Sequence, residues 1–312
     1  VSQDVTIADL GALLSAHPQA LFLHNQSVLT RGAAALLRRA WLAPFAGYSG
    51  VHLAQAGGET KLFGQVQRYT GSPLAALVYL APQAAIQPGR LTLIVEHFLK
   101  KLGAYGVQGL FAEVDEHSAA SAALQQAGLS VQAHQRVWKL SRAPGVPLDA
   151  LGWQPYLSRH ALAVRLLHTA LVPAQVQHLS CGSTQRQDSY VRFQQGQLAA
   201  FADVQRGPRG TWLQVLAAPT PAMPDWLTEL VLRLRPRPNR PLYIAVRSYQ
   251  DWLEPVLEGL DADPGPRQAV LLRRMVQPVK VKEVQKIAQA ASMEATSSIR
   301  YPARTQAPMD ER

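Results

Sequence analysis

The chain has 312 residues, 47% hydrophobic and 17% charged, a globular balance with material for about two domains. Its formal net charge of +10 and pI near 10.0 favour anionic partners such as a phosphorylated cofactor or an acidic surface. A single cysteine, Cys181, excludes an intrachain disulfide and a multi-cysteine zinc site, and a lone thiol reads as a packing residue rather than a nucleophile. The opening VSQDVTIADL has neither a basic segment nor an apolar run, so no signal peptide is expected. The longest apolar stretch, residues 75–86, is broken by Pro82 and is too short to cross a bilayer. A cytoplasmic protein without a membrane partner is the expectation.

In chain order, residues 32–41 (GAAALLRRAW) space Leu36, Leu37 and Trp41 like one helical face. Residues 51–55 and 61–68 are candidate strands joined by GGE, a hairpin signal. Residues 74–80 (LAALVYL) form a near-continuous apolar run that suits a strand buried on both faces, and Pro82 stops it. Residues 91–102 follow as a helix with Leu91, Ile94, Val95, Phe98 and Leu102 on one stripe, ended by Gly103. A strand at 109–114 leads to a helix that Ser118 or Ser121 can cap and Gly128 closes, and residues 131–140 supply the final strands. The segment 141–148 (SRAPGVPL), with two prolines and a glycine, reads as a linker.

The second half repeats this order. Residues 152–157 predict a strand, 161–171 a helix ended by Pro173, and 189–194 with 197–205 a hairpin across Gln-Gly. A central strand at 211–216 stops at Pro219, and a helix at 224–234 has proline in its first turn. A strand at 242–246, a helix at 250–260 and a strand at 268–275 complete it. The strands before Pro82 and Pro219, and the helices around Leu93 and Leu227, correspond; so do residues 109–140 and 241–275. A shared order of elements at a long period points to internal duplication. The expected organisation is an N-terminal domain at 1–142, a linker at 143–149, a C-terminal domain at 150–275 and a polar tail at 276–312. In that tail, Val281, Val284, Ile287, Ala288 and Ala291 could line one short helix.

The order helix, hairpin, long buried strand, helix, strand, helix, strand resembles the GCN5-related N-acetyltransferase (GNAT) fold. The segment EVDEHSAASAALQQAGLSVQAHQRVWKL, residues 113–140, is similar to that superfamily's closing strand–helix–strand, and FADVQRGPRGTWLQVLAAP, residues 201–219, to its third and fourth strands. Together the matches cover residues 1–275. The resemblance implies two tandem α/β domains, each a mostly antiparallel mixed sheet flanked by helices. It also implies acetyl-CoA as cofactor and transfer to an amine on a small molecule or peptide. In such a fold the fourth and fifth strands splay, the pantetheine arm pairs with the open strand edge, and the pyrophosphate rests on N–H groups at the start of the next helix.

On the first half this places cofactor binding at Tyr79, Ala81, Gly89 and Arg90. The loop there, Gln83 to Arg90, has one glycine and one arginine in reversed order relative to the family's Arg/Gln-x-x-Gly-x-Gly/Ala. The second loop, Ala217 to Pro224, has three prolines and no glycine, which removes donors. The tyrosine that many members use as general acid is replaced by Leu124 and Val256. Glu113 and His117, with Asp115 and Glu116, are the candidate general bases; the alternative is a solvated strand-to-helix turn. The run Arg233, Arg235, Arg237, Arg240 has no interleaved aromatics and reads as a solvated loop rather than a nucleic-acid site. No metal-ligand spacing is present. Two functions remain open: an N-acyltransferase with its site in the N-terminal half, or a tandem GNAT-like module without catalysis. Oligomeric state is not readable from these features.

Overall fold

The structure, a computed structural model, describes residues 2–46, 50–57, 60–69, 72–145, 152–179 and 188–275. Cys181, residues 146–149 of the linker and the candidate tail helix lie outside them.

The first half runs β1 (Ser2–Asp4), α1 (Leu10–Ala16), β2 (Leu21–Phe22), α2 (Asn25–Arg31), α3 (Ala33–Ala46), β3 (Val51–Ala56), β4 (Leu62–Arg68), β5 (Leu74–Ala81), α4 (Pro88–Gly103), β6 (Gly109–Asp115), α5 (Ala119–Gln126) and β7 (Ser130–Leu140). The second runs β8 (Trp153–Pro155), α6 (Ala161–Leu171), β9 (Tyr190–Gln194), β10 (Gln197–Arg206), β11 (Thr211–Ala217), α7 (Met223–Leu234), β12 (Leu242–Arg247), α8 (Glu254–Glu258) and β13 (Asp263–Arg274). Among the described residues, no helix is long and apolar enough to cross a membrane.

The apolar patterning acts as expected. All eight residues of β5 are buried, and the stripe from Leu91 to Leu102 on α4 packs beneath it in one core. Pro88 starts α4, where a missing N–H costs nothing. Ser118 caps α5 by accepting from the Ser121 N–H at 3.2 Å. Gly128 leaves that helix at φ +88°, a conformation that favours glycine.

Other expectations need correcting. Trp41 is 42% exposed although Leu36 is buried; five helical residues rotate a side chain about 140° from the first, off the buried stripe. The helix expected at 250–260 is a 3-10 stretch, Ser248–Leu253, followed by the short α8, with Pro255 in its first turn. Residues 131–140 form part of one long strand, and β13 begins at Asp263, five residues early.

Among the described residues the strands form a single sheet, in the order β1-β3-β4-β5-β6-β13-β7-β12-β11-β10-β9-β8, with β2 attached to β5. The centre of this order shows an exchange. β13, the last strand of the second half, pairs with β6 of the first. β7, the last strand of the first half, pairs with β12 of the second. The two exchanged strands pair with each other, antiparallel, at the middle. The cores follow the exchange: Ala269 and Leu271 of β13 pack in the first half's core, while Trp138 and Leu140 of β7 pack in the second's.

Candidate functional site

Each half contains a wedge between two parallel strands. β5 and β6 pair only at Leu74–Gly109, Ala75–Leu110 and Ala76–Phe111, yet β5 continues to Ala81 and β6 to Asp115. β11 and β12 pair only at Thr211–Leu242, Trp212–Tyr243 and Leu213–Ile244, then continue to Ala217 and Arg247. In the first half the β4–β5 register shifts so that Val78 is an extra, bulged residue. A bulge changes which peptide groups face which neighbour. The β10–β11 register has no such shift.

The wedges differ in what fills them. In the first, β2 adds to β5 through the pairs Leu21–Leu80 and Phe22–Tyr79. The Leu23 N–H then donates to the Val78 carbonyl at 2.9 Å, and the Glu113 N–H donates to the Leu23 carbonyl at 2.7 Å. The chain's own backbone therefore bridges the diverging strands. In the second, the Thr211 N–H donates to the Pro241 carbonyl at 2.9 Å, so Thr211 presents its peptide groups towards β12. Alternation along a strand gives Val215 and Ala217 the same direction. Both are 2% exposed, and the β11–β12 ladder ends before reaching them, at Leu213–Ile244.

The residues expected at the site are dispersed. Tyr79 is fully buried, with its ring edge-on to His17 at 5.2 Å and to Phe22 at 6.1 Å. Its hydroxyl has no partner among the described residues, and burial pushes its pKa well above the usual range. Ala81 is buried opposite Phe63 of β4. Gly89 lies exposed in the first turn of α4, with open space where a Cβ would stand. The neighbouring Arg90 turns away and donates through Nη1 to the Thr60 carbonyl at 2.9 Å. His117 is exposed, its own N–H directed to Asp115 Oδ1 at 3.4 Å. Glu113, in contrast, is buried: Oε2 accepts from the Asn25 N–H at 2.9 Å, and Oε1 stands 3.8 Å from Arg247 Nη2. The acidic cluster therefore divides, with Glu116 on the surface beside His134 at 3.1 Å and Arg267 at 3.3 Å.

Glu113 belongs to a buried polar seam that the sequence reading missed. Arg247 on β12 is the register partner of Gln135 on β7, Gln135 of Gln268 on β13, and Gln268 of Asp115 on β6. Register partners share a face of the sheet, so a polar row crosses the exchanged strands. Asn25 Nδ2 donates to Gln268 Oε1 at 2.6 Å, and Gln135 Nε2 to the same oxygen at 3.1 Å. Beside the row, His24 Nδ1 lies 2.7 Å from Ser27 Oγ, with the Tyr69 hydroxyl 3.3 Å from that oxygen. Burial lowers the His24 pKa; Glu113 opposes this, and Arg247 and Arg31 add to it. Burial also raises the pKa of Tyr69. The sequence signal was available: Arg247 ends the apolar run LYIAVR on the face of Ala245, and Gln135 interrupts SVQAHQRVWKL on the face of Ala133 and Val137. Among the described residues no group of His, Cys, Asp or Glu stands where it could hold a metal ion.

No family model matches the sequence, and no curated protein matches it. Solved structures do match in shape. A GCN5-related N-acetyltransferase from Sphaerobacter thermophilus is 12% identical with a TM-score of 0.52, over 89% of this chain and 96% of that one. A tandem GNAT protein from the clavulanic acid biosynthesis pathway is 16% identical with a TM-score of 0.51, over 89% of this chain and 99% of its own. Identities this low speak to the fold alone. The chain has the fold of the GCN5-related N-acetyltransferases, in tandem.

Proposed function

We propose that this chain is an acyl-CoA-dependent N-acyltransferase that takes its cofactor in the second half, between β11 and β12. The observation that carries this is the pair of buried peptide units at Val215 and Ala217, which face the wedge beyond the end of the β11–β12 ladder. A buried, unpaired backbone group costs about 1–3 kcal/mol. A pantetheine arm, which adds to a strand edge through its amides, removes that cost. In the first half the equivalent edge is taken by β2, so that half serves as scaffold. The assignment of Tyr79, Ala81, Gly89 and Arg90 to a cofactor thus gives way to the second wedge.

The phosphate end of the cofactor is poorly provided for. Pro219, Pro221 and Pro224 supply no N–H, and the Met223 N–H already donates to the Thr220 carbonyl at 3.1 Å. The pantetheine arm rather than the diphosphate carries the affinity in this reading. Transfer forms a bond between the acceptor nitrogen and the thioester carbon and breaks the carbon–sulfur bond; the proton lost by the nitrogen passes to solvent water, and the thiolate takes up a proton in return. We assign that proton to Tyr249, whose ring packs in the same apolar cluster as Leu216 of β11.

Titration calorimetry with acetyl-CoA tests the reading. One site per chain is expected, and Val215→Pro, which removes a wedge-facing N–H while leaving the β10 ladder paired, should abolish it. Failure to bind at millimolar cofactor contradicts it. That result would favour the second reading, a tandem module without catalysis, for which the proline-rich loop and the replacement of the family's tyrosine by Leu124 and Val256 already speak.

A further inference from the structure

We infer that Arg247 and Gln250 form an anion-recognising subsite on the acceptor side of the second wedge, and that the acceptor amine carries a carboxylate. The inference rests on the reading that the cofactor enters between β11 and β12.

Position comes first. The last pair of the β11–β12 ladder is Leu213–Ile244. Advancing equally along both strands brings Leu216 level with Arg247, so Arg247 stands on the wall of the wedge facing the proposed pantetheine arm. Its face is also set. Ile244 and Val246 pack with Leu227 and Leu230 of α7 in one core. Alternation directs Arg247 to the opposite side, the side on which Ala245 and Tyr243 meet Leu29 of α2. With the nucleotide end at α7, the thioester end emerges on the side where Arg247 lies.

Chemistry comes second. The Arg247 side chain is 8% exposed, and its one charged partner among the described residues, Glu113, is 3.8 Å away. Nε and Nη1 have no acceptor among the described residues, and neither does Nε2 of the buried Gln250. A guanidinium has five donors and no acceptor, and buried donors are normally satisfied. Glu113 has little capacity left, because Oε2 already accepts from the Asn25 N–H. Gln135 Oε1, on the register partner of Arg247, is also without a partner among the described residues, but one oxygen does not satisfy three donor nitrogens; these, on side chains three residues apart in the chain, call for a ligand rich in acceptor oxygens, and a carboxylate meets a guanidinium through charge-assisted hydrogen bonds. An amine lacking an acid group would leave these donors as they are.

Acetate and acetamide, alike in shape and different in charge, are the probes. In the full chain with 15N-labelled arginine, the Nε–H resonance of Arg247 is identified by its loss in Arg247→Lys. Should that variant not fold, the double variant Arg247→Gln, Glu113→Gln removes the resonance without leaving a buried unpaired charge. Acetate should shift the resonance saturably, with an apparent Kd on the order of millimolar, and acetamide should not. Gln250→Ala should weaken saturation several-fold. No saturable shift, which means ordered water only, overturns the inference, as does an equal response to acetamide. Acetyl-CoA calorimetry on the same sample separates the two readings: a saturable acetate shift without cofactor binding removes the acyltransferase reading and keeps Arg247 as an anion site.

Discussion

The two wedges are built alike and used differently. Both open after a short parallel ladder, and both are followed by a helix with proline in its first turn. In the first, a bulge at Val78 turns a carbonyl into the gap, and residues 21–23 fill it as a strand. In the second, the register is regular and the buried edge of β11 runs on beyond the end of its ladder with β12. The difference teaches that a splayed pair is a place for an added strand, and that the chain itself can supply it. Splaying alone therefore does not identify a cofactor site; whether the edge is already taken by the chain must be counted as well.

Breaking the exchange should have the largest effect. A fragment of residues 1–142 keeps β7 but loses β13, which leaves β6 held only by its three pairs with β5 and removes Ala269 and Leu271 from its core. It should show no cooperative thermal unfolding; a sharp transition would mean that the half closes on its own strand. Next is Glu113→Ala, which strands Arg247 and the Asn25 N–H. It should destabilise by about 3–5 kcal/mol in denaturant titration, with Glu113→Gln milder because it keeps an acceptor for Asn25. A change within experimental error would remove Glu113 from the seam.

Asp9 gives a smaller, pH-dependent contrast away from both wedges. Burial would raise its pKa, but the Lys61 ammonium at 2.7 Å and the Thr6 N–H and hydroxyl outweigh this and hold it at about 2. A depressed carboxyl pKa stabilises the fold above the unfolded value, and that contribution is lost as pH falls from 3.8 towards 2. Asp9→Asn should lower stability at neutral pH by about 1 kcal/mol, discounted because Lys61 is half exposed, and should flatten the acid slope. An unchanged slope would contradict the assignment. The smallest effect is expected at Arg90. Its bond to the Thr60 carbonyl lies on the surface, so Arg90→Ala should change acetyl-CoA affinity by less than about 0.5 kcal/mol. A larger loss would return the cofactor to the first half.

The architecture was legible because its signals are local. A near-continuous apolar run marked β5, helical spacing marked α4 and a Gln-Gly turn marked the second hairpin, while prolines and glycines marked the ends of β5 and α4. The exchange of β7 and β13 was not legible, because either strand carries the apolar alternation needed to sit beside β6 or β12. The site was legible in part. Glu113 was identified as a carboxylate of interest, but its partners Asn25 and Arg247 lie 88 and 134 residues away, a contact no local pattern reveals. His117 was grouped with it by proximity in sequence, whereas β6 ends at Asp115 and the turn that follows carries His117 to the surface. β2 escaped notice because a two-residue strand has no periodicity to detect.

Residue-resolved amide hydrogen exchange with and without acetyl-CoA tests the central claim most directly. The account expects the amides of Val215 and Ala217 to gain protection on cofactor binding, while those of β5 and Leu23 stay unchanged. Protection at Val78 to Ala81 with release of Leu23, or no change in either wedge, would contradict it.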